Sequence, residues 1–396
     1  MKTFSVGRCA LLALVLSLAG CATQPPAPDA PLPFDEAVAK ATDRLVAQLP
    51  AFSALPLLAA RNITHDPSLD VETGQQTGAT RTLDSAIARN IAERHSKLTL
   101  LPFQSSHLAN ARYLLASTMA REAGQHAGAL RIEMALVERE SGNVVAQASA
   151  LASNEGLDHA PLPYYRDSPV LVKDRVVEGY IRTAATARGQ RGDAFYLERI
   201  AVATAVNEAT ELYNQARYRE ALGEYRSALA VPAGEQMRVL NGIYLANVKL
   251  DQAKEAEEAF GRVVAMGIAY RQLSVKFLYN PGTVAFFVDP RISTPYPMWL
   301  RQIAREAQAA KTCMDIVGHT SRTGRVAAND ALSLRRATDI QRRLVREVPE
   351  LASRTQALGM GFRENIIGTG SDDAIDVLDR RVEFRIQACG AQAASR

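Results

Sequence analysis

Gly318-His319-Thr320-Ser321-Arg322-Thr323-Gly324, then Asn329-Asp330-Ala331-Leu332-Ser333-Leu334-Arg335-Arg336-Ala337, and far downstream Asp379-Arg380-Arg381-Val382-Glu383-Phe384, decide how the C-terminal third of this chain folds. The apolar run 313–317 reads as a strand that ends at Gly318 and hands over to a loop. Asn329 or Asp330 can cap the helix that follows. Ala337, Ile340, Leu344 and Val348 recur every three or four residues, which gives that helix one buried face. Asn329 and Arg336 are about two helical turns apart, so they leave the helix on one side. An arginine held there offers a planar fork of donors suited to a carboxylate. Upstream, 275–279 reads as a first strand and 298–309 as a helix.

In this order and at this spacing, over residues 273–389, the motifs resemble the OmpA-like peptidoglycan-binding domain. That family's pattern is Gly-His-Thr-Asp, an Asn eight residues after the Asp, Leu-Ser-x-x-Arg-Ala and a terminal Asn-Arg-Arg-Val. The resemblance implies a βαβαβ-type mixed sheet. It also implies a pocket for the diaminopimelate of the peptidoglycan stem peptide, with the arginine on a carboxylate and the aspartate on the free ammonium. Carried across, Thr320 matches the loop threonine, Asn329 the asparagine, Arg336 the arginine and Arg380 the first of the terminal pair. Ser321 stands where the family has Asp; it offers a hydrogen bond but no charge, a loss worth about 1–3 kcal/mol of ligand affinity. Asp379 replaces the family's Asn, and Asp330, Asp372, Asp373 or Asp379 itself could restore the missing charge. Asn329 reads equally as a plain helix cap, and Arg380 as a sheet ion pair. His319 reads as a packed turn residue, and no histidine has metal-ligand spacing, so no metal is expected.

At the other end, Lys2 and Arg8 precede an apolar run, 9–18, too short to span a bilayer as a helix. The run closes on Leu18-Ala19-Gly20-Cys21, which resembles the bacterial lipobox. The resemblance implies cleavage before Cys21 and acylation of its thiol. With Ala22 rather than Asp next, it implies delivery to the outer membrane, lipid-anchored and facing the periplasm. Prolines 25, 26, 28, 31 and 33 make the following stretch a stiff spacer. Loss of Lys2 and Arg8 takes the formal charge from +4 to +2, which speaks against a nucleic-acid partner. Cys9 leaves with the signal and Cys21 is acylated, so Cys313 and Cys389 remain in an oxidising compartment and are predicted to pair. If Cys313 starts the second strand and Cys389 ends the last, antiparallel pairing brings them together.

The composition, 47% hydrophobic and 22% charged, is that of a folded protein too long for one small domain. We expect an α+β multidomain chain: signal 1–20, acylated tether 21–33, an α+β domain 34–190, helical repeats 191–270 and the OmpA-like domain 271–390. In the first domain, 34–49 and 83–94 have helical spacing and 113–119 and 130–136 are β-compatible. Glu140-Ser141-Gly142-Asn143 turns into Val144-Val145-Ala146. With Thr73-Gly74-Gln75-Gln76-Thr77, this layout resembles the N-terminal domains of the curli-secretion and flagellar-assembly lipoproteins.

In 191–270 two stretches about 35 residues apart resemble tetratricopeptide repeats, Ala221 and Tyr225 corresponding to Ala256 and Phe260. A plain helical linker is the other reading. Two repeats are too few for a free-standing solenoid, so they are expected to lean on a neighbour and to offer a groove for a protein partner. No nucleophile elbow, metal motif or phosphate loop occurs, Gly368-Thr369-Gly370-Ser371 reads as a flexible loop, and neither an enzyme nor a cofactor is expected. Two functions stay open: a tether or scaffold between outer membrane and peptidoglycan, or an assembly or regulatory lipoprotein acting through a cell-wall synthase, secretion machine or flagellar component.

Overall fold

The computed structural model describes residues 30–49, 62–280, 282–368, 370 and 375–389. The signal, Cys21, most of the tether, Asp372 and Asp373 lie outside the described residues. No described helix is long and apolar enough to cross a membrane.

The first unit comprises α1 (Phe34–Ala47), β1 (Asn62–Asp70), α2 (Gly78–Arg94), β2 (Thr99–Leu101), α3 (Ser105–Leu108), β3 (Tyr113–Arg121), β4 (Leu130–Glu138) and β5 (Val144–Ala152). Its sheet runs β2-β1-β3-β4-β5, with β1 parallel to both neighbours and the remaining pairs antiparallel. α1 and α2 bury Val38, Leu45, Leu83 and Ile87 on one face of the sheet against Ile63, Leu115 and Ile132. On the other face α5 (Arg175–Ala184) and α6 (Ala194–Leu197) pack Val177, Tyr180 and Tyr196 against Leu114 and Val137, while α4 (Pro163–Asp167) places Tyr164 and Tyr165 in the core of the helices that follow.

α2 starts five residues before the expected 83 because Thr77 and Thr80 form a reciprocal capping box. β1 is not among the strands that spacing predicts: His65, Asp66, Pro67, Ser68 and Asp70 interrupt any apolar alternation. The fold pairs it anyway, with a bulge between Asp66 and Leu69 where Pro67 cannot donate. Buried partners satisfy its polar side chains: His65 Nε2 lies 2.7 Å from Ser117 Oγ, and Tyr196 donates to Asp66 Oδ2 at 2.6 Å.

The helices α7 (Ile200–Asn214), α8 (Tyr218–Leu229), α9 (Met237–Lys249) and α10 (Ala253–Ala269) pack each on the next. Ala221, Tyr225, Ala256 and Phe260 are all buried. Tyr225 lies directly on Gly242, where a Cβ would come within 2.4 Å of its ring. This core continues without a break into the last unit: Phe260 stacks on Trp299 at 5.6 Å, and Trp299 Nε1 donates to Tyr244 Oη at 2.8 Å.

The last unit holds β6 (Leu273–Val275), α11 (Pro290–Ser293), α12 (Tyr296–Ala309), β7 (Cys313–Gly318), α13 (Val326–Glu347), β8 (Thr355–Gly359) and β9 (Val382–Gln387). Its mixed sheet runs β6-β9-β7-β8, with β7 and β8 parallel. The first strand is Leu273–Val275 rather than 275–279, because the Lys276 amide leaves the sheet to donate to Pro169 O at 2.8 Å. α13 begins at Val326, so neither Asn329 nor Asp330 caps it; both sit within its first turns. Cys313 and Cys389 are disulfide-bonded with Cα atoms 5.0 Å apart. Cys313 faces Gln387, and Cys389 lies two residues past the end of β9.

Candidate functional site

Two glycines bring α13 onto the sheet. Gly318 and Gly359 close the paired strands β7 and β8 in register. A Cβ on Gly318 would lie 2.2 Å from Ser333 O, and one on Gly359 2.5 Å from Leu334 N. The helix backbone therefore rests on the strand ends midway between Asn329 and Arg336. Ser333 completes the seam: its Oγ accepts from the Gly361 amide at 2.9 Å and donates to Asp330 O at 2.9 Å.

Thr320, Ser321 and Asn329 meet at the loop after β7. All three are buried. Asn329 Nδ2 donates to Thr323 O at 2.7 Å, and Ser321 Oγ lies 3.4 Å from Thr323 Oγ1. The Thr320 amide donates to Gly361 O at 2.9 Å, while its hydroxyl has no hydrogen-bond partner among the described residues. Arg336, 4% exposed, turns toward a different segment: Nε donates to Thr283 O at 3.1 Å, and the guanidinium lies over the Tyr279 ring at 4.5 Å. Burial holds the Tyr279 phenol far above its ordinary range, and its hydroxyl has no hydrogen-bond partner among the described residues. Sequence reasoning missed Tyr279 and Thr283. The signal was there: an aromatic just before the turn-forming Asn280-Pro281-Gly282-Thr283.

At the terminal pair, Arg380 is half-buried and Arg381 is the buried member. Arg381 makes two bonds to Glu383 Oε1, at 2.9 and 2.6 Å, and one to Glu364 O at 3.1 Å. His319 is packed, as expected of a turn residue, with Nε2 3.4 Å from Glu383 Oε2. Burial alone would raise the Glu383 carboxyl, yet His319 and Arg381 beside it hold it well below the usual carboxylate range. His319, Glu364 and Glu383 offer three potential metal-ligand atoms within 4.8 Å of one another, a grouping that their sequence positions gave no hint of. Arg385 already bridges both carboxylates and Arg381 pairs with Glu383, so the cluster is an ion-pair network.

Of the carboxylates that could substitute for the missing Asp, the two among the described residues, Asp330 and Asp379, are committed elsewhere. Asp330 accepts from Arg363 Nη1 at 2.7 Å. Asp379 accepts the amides of Ile366, Ile367 and Gly368 at 2.6, 3.0 and 2.8 Å. The start of the Gly368 loop, read as flexible, is thus pinned by a buried carboxylate.

No protein-family model matches the chain, and no curated protein does. Among solved structures, the peptidoglycan-associated lipoprotein from Burkholderia pseudomallei is similar at 23% identity and a TM-score of 0.23, over 29% of this chain and 89% of that one. The periplasmic domain of Helicobacter pylori MotB is similar at 16% identity and a TM-score of 0.25, over 31% of this chain and 76% of that one. The LpoB C-terminal domain from Salmonella enterica is similar at 16% identity and a TM-score of 0.22, over 30% of this chain and 98% of that one.

Proposed function

We propose that this chain is a non-enzymatic outer-membrane lipoprotein, acylated at Cys21, that binds peptidoglycan non-covalently through residues 271–390 and so tethers or scaffolds the envelope. The observation that carries the reading is the convergence of Thr320, Ser321 and Asn329 on one loop, with Arg336 two turns along the same glycine-seated helix. In this reading Arg336 meets a carboxylate of the stem-peptide diaminopimelate. Tyr279 and Thr283 orient its fork before the ligand arrives, which lowers the ordering cost of binding. Thr320 offers a hydroxyl without a partner among the described residues, and the half-buried Arg380 a second cation.

One observation favours a second reading, an assembly or regulatory lipoprotein that works through a protein partner of residues 34–270. Ser321 carries no charge, and Asp330 and Asp379 are engaged by other groups. Co-sedimentation of the mature chain with isolated sacculi decides between the two. Pelleting that weakens on Arg336→Lys and strengthens on Ser321→Asp supports the wall anchor; absence of wild-type pelleting overturns it and favours the partner.

A further inference from the structure

Gln75 lies in the Thr73–Thr77 stretch, where its backbone is accounted for: its carbonyl accepts from Asp70 N at 2.9 Å and its amide donates to Thr73 Oγ1 at 3.2 Å. Its side chain is 1% exposed, yet neither Oε1 nor Nε2 has a hydrogen-bond partner among the described residues. A buried carboxamide with donor and acceptor both open is costly and calls for a partner. Gln75 lines a cleft of about 530 Å3 where the first unit, the helices and the last unit meet. Tyr165, Tyr244, Leu278 and Trp299 supply much of its apolar wall.

The same cleft holds a half-buried cation. Among the described residues Lys276 Nζ donates only to the carbonyls of Tyr165 and Arg166, both at 3.3 Å, long for an ammonium. Burial lowers its pKa to about 8, which leaves it charged at neutral pH. The lining carboxylate, Asp167, is taken by Lys249 Nζ and the Tyr213 hydroxyl, each at 2.9 Å. The cleft thus favours an anion over a cation. None of Thr320, Ser321, Asn329, Arg336 and Arg380 lines it.

We propose that this cleft binds the carboxyl-terminal end of a short apolar peptide, with the carboxylate on Lys276, the backbone of the residue before the last on Gln75 and an apolar side chain against Tyr244 and Trp299. The carboxamide matches the backbone of one extended residue, whose N–H and carbonyl point to the same side: Nε2 donates to the carbonyl while Oε1 accepts from the N–H. Volume and chemistry suit such a ligand, since binding pockets are mostly apolar with a few placed polar groups. The site stands apart from the wall-binding reading, and either can fail alone.

Trp299 is the chain's one tryptophan and sits on the cleft wall, so its fluorescence reports occupancy. The mature full-length chain is titrated with leucyl-leucine and with leucyl-leucine amide up to about 10 mM, well above the millimolar Kd expected of so small a ligand. The acid is expected to give a saturable change and the amide to bind about tenfold more weakly or worse. Gln75→Ala is expected to weaken the acid about tenfold while melting at the same or a higher temperature, since it removes an unpaired buried group. Lys276→Met is expected to erase the preference for acid over amide. Should that variant not fold, Val248→Glu, at a lining position 43% exposed, places a carboxylate on the rim and is expected to weaken the acid selectively. No saturable change with the acid, equal binding of acid and amide, or undiminished binding to Gln75→Ala overturns the proposal.

Discussion

Gly318 and Gly359 face each other across the parallel pair β7 and β8, and each lies under the backbone of the same helix at adjacent residues, Ser333 and Leu334. A methyl at either position meets main-chain atoms that no rotamer change can move. Gly318→Ala or Gly359→Ala therefore lifts α13 off the strand ends, at a cost of about 1–3 kcal/mol or more. Once the first methyl has lifted the helix, the second costs less, so the double variant is expected to lose less than the sum of the singles. Urea unfolding followed by Trp299 fluorescence measures all three; additive losses would mean that the two glycines act independently.

Tyr279 gives Arg336 its ring and buries a hydroxyl with no partner among the described residues. Tyr279→Phe keeps the ring and removes the unpaired group, so stability should hold or rise by about 1 kcal/mol. Tyr279→Leu forfeits the cation–π contact, about 0.5–2 kcal/mol, and frees the guanidinium from its set plane. Thermal unfolding of the two variants separates the effects. A Phe variant as unstable as the Leu variant would show that the hydroxyl, not the ring face, matters.

Asp379 accepts three successive amides from one buried carboxylate. The resemblance puts Asn at this position, and Asn has only one acceptor oxygen, so Asp379→Asn must leave at least one amide without its bond. We expect a loss of about 1–3 kcal/mol and faster hydrogen exchange at Ile366, Ile367 and Gly368. Sacculus binding should not change, because the carboxylate is already used inside the protein. A fall in binding with no change in exchange would instead make Asp379 the substitute for the missing family charge.

The parts of the fold that were legible in the sequence are those whose signal is local. α1 and α12 carry clear helical spacing, and the Cys313–Cys389 pairing follows from compartment and strand ends. β1 was illegible because its polar side chains find partners in Ser117 and Tyr196, distant in sequence. The position of Asn329 was misread as a cap because α13 begins earlier, at Val326, after an Arg325 that makes no side-chain cap bond. In the candidate site, helical period placed Asn329 and Arg336 on one side, but only the fold sets Tyr279 and Thr283 against the arginine. The His319, Glu364 and Glu383 grouping comes from three separate segments and leaves no trace in spacing.

Asp66 makes the first unit's stability depend on pH in the opposite sense to an ordinary paired carboxylate. Burial raises its pKa to about 6, and the Tyr196 hydroxyl bond and the charge of Arg238 keep it from rising further. In the unfolded chain an aspartate titrates near 3.9, so between roughly pH 4 and 6 the folded state holds the extra proton. The stabilisation is fully present below about pH 4 and is lost as pH rises through about 6, a swing of about 2–3 kcal/mol. Asp66→Asn keeps an oxygen for Tyr196 and carries no charge. The variant should match the wild type near pH 4 and exceed it in stability at pH 8, by about that swing. Paired urea unfolding curves at the two pH values cancel every other titrating group, so a stability difference that does not change with pH would mean that Asp66 ionises in the folded protein as it does in the unfolded one.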